Sequence, residues 1–166
     1  VKTETVEIPE PDRVPGAPHP RHARRVIGQD PAIAAFTDAA QGGRLHHAWL
    51  LTGRRGVGKA TLAWAIARWL LAGQGGPDVA TDPASPDIRR ILALAEPRLQ
   101  LIRRPWDDKA GRLRAEITVD EIRKLLSFFH LSAAGGGRRV AIIDAADDMN
   151  TAAANALLKV LEEPPT

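Results

Sequence analysis

The chain predicts a three-layer α/β fold, a parallel sheet between two layers of helices, on three observations. First, Gly53-Arg54-Arg55-Gly56-Val57-Gly58-Lys59-Ala60-Thr61 fits the phosphate-binding spacing G-x-x-x-x-G-K-[ST] in all but its last position. It follows the apolar run Ala48-Trp49-Leu50-Leu51 and opens an amphipathic segment, the strand-then-helix context that the motif requires. Second, apolar runs near 47–52, 98–103 and 138–144 alternate with helical patterns, which calls for right-handed crossovers and parallel pairing. Third, the last run ends on Asp144, and ligands of such sheets sit at the carboxyl ends of the strands.

Taken in order, residues 1–24 hold Pro9, Pro11, Pro15, Pro18 and Pro20 among alternating acids, and read as a flexible arm. Residues 25–166 read as the folded domain. Asp30 is positioned to cap a helix with Pro31 in its first turn and Ile33, Phe36 and Ala40 on one face, stopped by Gly42-Gly43. His46 and His47 precede the first strand and read as solvated or strand-edge residues. After the loop, Leu62, Ile66, Trp69 and Leu70 form the inward stripe of a helix reaching about Ala72.

Residues 73–86 are a linker by composition. A short helix from Ser85 or Asp87 turns Ile88, Ile91, Leu92 and Ala95 inward, and Leu99 to Ile102 is a second strand. Arg103 to Glu116 is a polar loop carrying Trp106, either a contact residue or a pin for its own loop. Thr118 and Glu121 have capping-box spacing, opening a helix with Val119, Ile122, Leu125, Leu126 and Phe129 inward and an end at Ala133 to Gly137. The third strand leads to Asp144. The last helix, Asn150 to Glu163, turns Leu157, Val160 and Leu161 inward and ends on Glu162-Glu163, where negative charge opposes the macrodipole.

The chemistry of the loop follows from its residue types. Gly53, Gly56 and Gly58 let the backbone take positive φ and approach a polyphosphate closely. The N–H groups around Val57 then converge at a helix start, where the macrodipole also favours an anion. Lys59 adds a point charge for the terminal phosphates. Ala60 stands where a hydroxyl would ligate magnesium, and Thr61 is rotated away by one helical step. Asp144 is the candidate second metal-side group, but Ala145 follows it where a water-activating glutamate would stand. Both losses point away from hydrolysis.

Composition bounds the rest. At 166 residues with 44% hydrophobic content, the chain has the length of one domain with a real core. Net charge is +3, but the basic residues are scattered doublets, which permits acidic partners without requiring them. The cysteine count is 0, excluding disulfides and thiolate metal sites. His19, His22, His46, His47 and His130 form no convincing ligand set, so no zinc is expected. With no long apolar run or signal segment, a cytoplasmic location is expected. A start at Val1 reads as a trimmed chain.

Val26-Ile27-Gly28-Gln29, the phosphate loop, Ile117 to Leu126, Val140 to Asp144 and above all Asn155-Ala156-Leu157-Leu158-Lys159-Val160-Leu161-Glu162-Glu163-Pro164-Pro165 resemble the AAA+ domain of bacterial clamp loaders. More narrowly, Gly58-Lys59-Ala60-Thr61-Leu62 and Arg104-Pro105-Trp106-Asp107 resemble the delta-prime subunit family of DNA polymerase III. The resemblance implies a P-loop NTPase (AAA+) fold, here partial, stopping before the sensor strand, the lid and the collar, with 73–86 in place of a four-cysteine zinc module. It implies a stator that helps load the sliding clamp on primed DNA, with tau/gamma and delta subunits as partners. It further implies a degenerate nucleotide site, with ATP held weakly or not at all and its adenine near Val26 and Ile27. The alternatives are a tau/gamma-like motor ATPase, which Ala60 and Ala145 disfavour, and a small P-loop kinase, for which no lid or catalytic arginines are identified. The fold resembled inserts the strand after Asn150 to Glu163 between the first and third runs. A chain ending at Thr166 is therefore expected to leave those two runs unpaired.

Overall fold

The computed structural model describes residues 9–73, 79–130 and 137–164. The first eight residues of the arm, the stretch 74–78 of the linker and the expected helix end at 133–136 lie outside the described residues. Five helices are described: α1 (Asp30–Gln41), α2 (Lys59–Leu71), α3 (Pro86–Leu92), α4 (Val119–His130) and α5 (Thr151–Glu162). Four strands accompany them: β1 (Leu99–Ile102), β2 (Trp106–Asp107), β3 (Arg112–Leu113) and β4 (Val140–Ile143).

The parallel pair is β1 with β4, in the register Leu99↔Val140 to Ile102↔Ile143. Successive side chains point to opposite faces of a strand, and the core follows that period of two. Leu99, Leu101, Val140 and Ile142 pack with Trp64, Ala67, Leu71, Ile88 and Ile91 of α2 and α3. On the other face, Ile102, Ala141 and Ile143 pack with Ile122, Leu125 and Phe128 of α4 and Ala153 and Leu157 of α5. These two cores make the three layers, and the fold is the α/β class expected.

The run 47–52 joins no ladder, which corrects the expected first strand. Among the described residues no strand lies beside it. Instead, Trp49 packs edge-on to Phe36 with centroids 5.2 Å apart, and Leu50 is 77% exposed. His47 is exposed, and its Nε2 lies 2.8 Å from the Leu161 carbonyl at the end of α5. A carbonyl only accepts, so this ring nitrogen carries the proton and satisfies one of the helix's terminal acceptors.

Helix α2 departs from a one-sided stripe. Leu62, Ala65 and Trp69 pack against Ile33, Phe36 and Ala40 of α1, while Trp64, Ala67 and Leu71 pack on the sheet. A helix in the middle of a fold is buried on two sides, and the wide apolar surface of α2 reflects that. Ile66 and Leu70, expected inward, are only partly buried.

Smaller differences have local causes. Gln29, not Asp30, occupies the N-cap of α1, and its side-chain amide donates instead to the Val57 carbonyl at 2.7 Å. Helix α3 ends at Leu92, leaving Ala95 exposed. In α4, Phe128 takes the core position expected for Phe129, and Glu121 binds Lys124 at 2.7 Å rather than closing a capping box. In α5, Asn150 caps the first turn by accepting from the Ala153 N–H at 3.0 Å, and Leu161 is exposed rather than inward. The loop 103–116 contains a small antiparallel hairpin, Trp106↔Leu113 and Asp107↔Arg112. Trp106 pairs with Leu113 across that hairpin and lines a cleft with Pro9, Pro11 and Leu101.

The arm is the largest correction. Residues 9–24 are folded onto the domain, with a 3-10 turn at Pro20–His22 packed on α2. The reason is electrostatic. Arg103, at the end of β1, binds Asp12 at 2.8 Å and Glu10 at 3.3 Å, and Arg21 also pairs with Glu10. His19 Nε2 meets Asp12 at 2.7 Å, its Nδ1 accepts from the Arg21 N–H at 3.0 Å, and its ring abuts Trp64. From α2, the buried Arg68 guanidinium donates to the carbonyls of Arg21 and Ala23 at 2.6 and 2.8 Å.

Candidate functional site

The loop from Gly53 to Thr61 is built as the sequence requires. Gly53, Gly56 and Gly58 have φ of 141°, 83° and 97°, conformations that L side chains rarely adopt. A Cβ on Gly56 or Gly58 would meet no protein atom within 4 Å, so the space over them is open for a ligand. Gly58 is the N-cap of α2 and has no side chain to satisfy the first-turn donors. Those unpaired N–H groups, together with the macrodipole, make the start of α2 an anion site.

Lys59 Nζ donates to the carbonyls of Gly53 and Arg54 at 2.8 and 3.0 Å, bracing the loop across its mouth. Val57 is half exposed at the rim, and its carbonyl is held by Gln29. That contact ties the Val26–Gln29 segment to the loop. Val26 packs into the α1–α2 core, while Ile27 beside it is 85% exposed. The structure therefore brings Val26, Ile27 and the loop residues Gly53 to Thr61 into one region. The polyphosphate cradle fits a nucleotide; the metal side does not, because Ala60 offers only a methyl group.

Asp144 follows β4 and its N–H donates to the Ile102 carbonyl at 2.9 Å. Burial, with the neighbouring charges of Asp12 and Asp148, pushes its pKa up, and His19 and Lys59 only partly offset this. Asp144 thus lies within the electrostatic reach of Lys59. Asp12 is engaged by Arg103 and His19, and Asp148 pairs with Arg104 at 3.1 Å. Among the described residues, no group of three or more His, Cys, Asp or Glu is placed to hold a metal ion.

Asp12, His19 and Arg103 are the neighbours of this site that reading the sequence missed. Their only signal was the proline-spaced Pro9-Glu10-Pro11-Asp12 acids, which suggested solvent rather than a partner ninety residues away.

Residues 28–166 match the family model described as DNA polymerase III, delta subunit. The chain belongs to this family of AAA+ clamp-loader proteins. Similar relatives include the DNA polymerase III subunit gamma of Buchnera aphidicola subsp. Acyrthosiphon pisum, 34% identical over 147 residues, which are 88% of this chain and 38% of the relative. The subunit tau of Escherichia coli K12 is 34% identical over 140 residues, 84% of this chain and 20% of the relative. The subunit gamma/tau of Mycobacterium tuberculosis H37Rv is 31% identical over 146 residues, 88% of this chain and 24% of the relative. The chain thus spans well under half the length of these curated relatives. The family is one of DNA polymerase III clamp-loader proteins. The relatives carry the gamma and tau names, whereas the narrower sequence resemblance was to delta-prime. Among the described residues no helix is long and apolar enough to cross a membrane.

Proposed function

We propose that the chain acts as a delta-prime-type stator of the DNA polymerase III clamp loader, helping to load the sliding clamp on primed DNA. The observation that supports this most is the pair Ala60 and Ala145 in an otherwise complete loop-and-strand site. Hydrolysis needs an oxygen ligand for magnesium within the loop and a base to orient water. Here both positions carry methyl groups, and Asp12 and Asp148 are held in ion pairs with Arg103 and Arg104. Gly53, Gly56, Val57, Gly58 and Lys59 would hold the phosphates of ATP, and Val26 and Ile27 its base. Bound there, ATP would contribute binding energy and order rather than turnover. The proposed partners are tau/gamma and delta subunits, with the clamp and primed DNA reached through the complex.

One finding favours a second reading, a tau/gamma-like motor: the relatives' own names. The two readings separate in one experiment. Mixed with tau/gamma and delta subunits, the full chain should co-elute with them, and alone it should hydrolyse ATP no faster than background. A turnover of roughly 1 per second, within the usual enzymatic range, that Lys59→Ala abolishes would establish the motor instead.

A further inference from the structure

We propose that this loop takes a nucleoside polyphosphate as the metal-free anion, with Arg54 and Arg55 supplying the positive charge that a divalent ion would otherwise bring. The inference rests on the loop being a phosphate site, as read under Proposed function, and deepens it by naming the ionic form of the ligand.

Charge balance carries the argument. A polyphosphate needs several positive charges nearby, and this loop has no inner-sphere oxygen for a cation at position 60. It has an unusual supply of fixed charge instead. The loop itself carries Arg54, Arg55 and Lys59, and the acidic group within electrostatic reach of Lys59 is Asp144. Arg68 is spent on the arm's carbonyls, whereas Arg54 and Arg55 are exposed and their side chains have no partner among the described residues.

Both flank the cradle, one residue from Gly53 and from Gly56, and over Gly56 the space is open. Guanidinium groups bind phosphate oxygens through paired N–H donors and stay charged at any working pH. The apolar rim favours a nucleotide over bare phosphate. Ile27 and Val57 are both exposed, and the Gln29 amide holds their two segments together. A flat base covering them removes apolar surface from water, which inorganic polyphosphate cannot do.

The test is calorimetric titration of the full chain with ATP, ADP and inorganic tripolyphosphate, each in magnesium and in EDTA. ATP or ADP should bind with affinities within about threefold in the two buffers and more tightly than tripolyphosphate. Because one charge-assisted phosphate contact is worth roughly a tenfold change in affinity, Arg54→Ala and Arg55→Ala should each weaken binding by about that factor without changing the melting temperature. Ala60→Thr should restore a magnesium requirement. Binding in magnesium only, or unaltered binding by both arginine variants, overturns this proposal but leaves the phosphate site standing. No binding of any nucleotide or phosphate in either buffer overturns both. If the arginine variants lose a DNA oligonucleotide and keep ATP, the two side chains serve nucleic acid and the proposal falls.

Discussion

Replacing Arg103 by Met should release the arm, and the structure sets the scale. The guanidinium holds Asp12, whose side chain is 1% exposed, and Glu10, whose side chain is 16% exposed. Removing one partner of a buried ion pair typically costs about 3–5 kcal/mol, because the other charge is left buried and uncompensated. The loss is smaller here, since Arg103 is itself partly exposed, His19 still serves Asp12 and Arg21 still serves Glu10. An expected cost is therefore about 2–3 kcal/mol, part of which Arg103→Met/Asp12→Asn should recover by removing the orphaned charge. The assay is urea unfolding followed by tryptophan fluorescence, in which Trp64 beside His19 reports on the arm. Arg123→Met is the control, as its pair with Asp120 is more than two-thirds exposed on both sides and should be worth at most about 0.5 kcal/mol. If Arg103→Met and Arg123→Met prove equally mild, the arm is not held by these charges and the reasoning fails.

Other expectations follow from burial and backbone geometry. Glu10 and Asp12 are pushed up by burial but carried below their ordinary values by Arg21 for Glu10 and by His19 and Arg103 for Asp12. The stability they contribute is present above pH 4.5 and is lost as pH falls through the lowered values, which an acid titration of the melting temperature reads. Asp144 runs the other way: raised by burial, it contributes stability below 3.8 that is lost as pH rises, so Asp144→Asn should raise the melting temperature at pH 7 and not at low pH. Gly58→Ala, at φ 97°, should cost about 1–2 kcal/mol in chemical denaturation and disturb the loop, whereas Ala60→Gly should leave the loop's shape intact. Trp64→Ala should cost about 3–5 kcal/mol, but Trp64→Phe markedly less, because the indole N–H finds no acceptor among the described residues.

What could be read from the sequence was whatever depends on short spacing. The loop, its glycines, the helix that follows it, the β1 and β4 runs and the last helix from about Asn150 are local, and the patterns that encode them lie within a dozen residues. The run Ala48 to Leu51 has the same local pattern as a strand, yet pairing is a property of two segments, and no apolar count says whether the neighbour is there. The arm failed for the same reason in reverse. Its acids look solvated in isolation, and only the fold brings Arg103 from the end of β1 to meet Asp12. In the site, Lys59 and Asp144 were picked out by local pattern, while Asp12 and His19, which also act on Asp144, come from a segment distant in the chain.

The clasp between the arm and Arg103 also orders events in time. Its ion pairs join residues 91 and 93 positions apart, so closing them early would cost chain entropy before any contact rewarded it. They can form only on a surface made by β1 and α2, which must already have assembled. The arm should therefore dock after the main barrier, leaving mutations in it to speed unfolding while the rate of folding stays nearly unchanged. Stopped-flow measurements on Arg103→Met would show the whole stability loss on the unfolding limb. In a cell, the same segment would be the first to come away, exposing Trp64 and the end of β1 while the rest of the domain still holds.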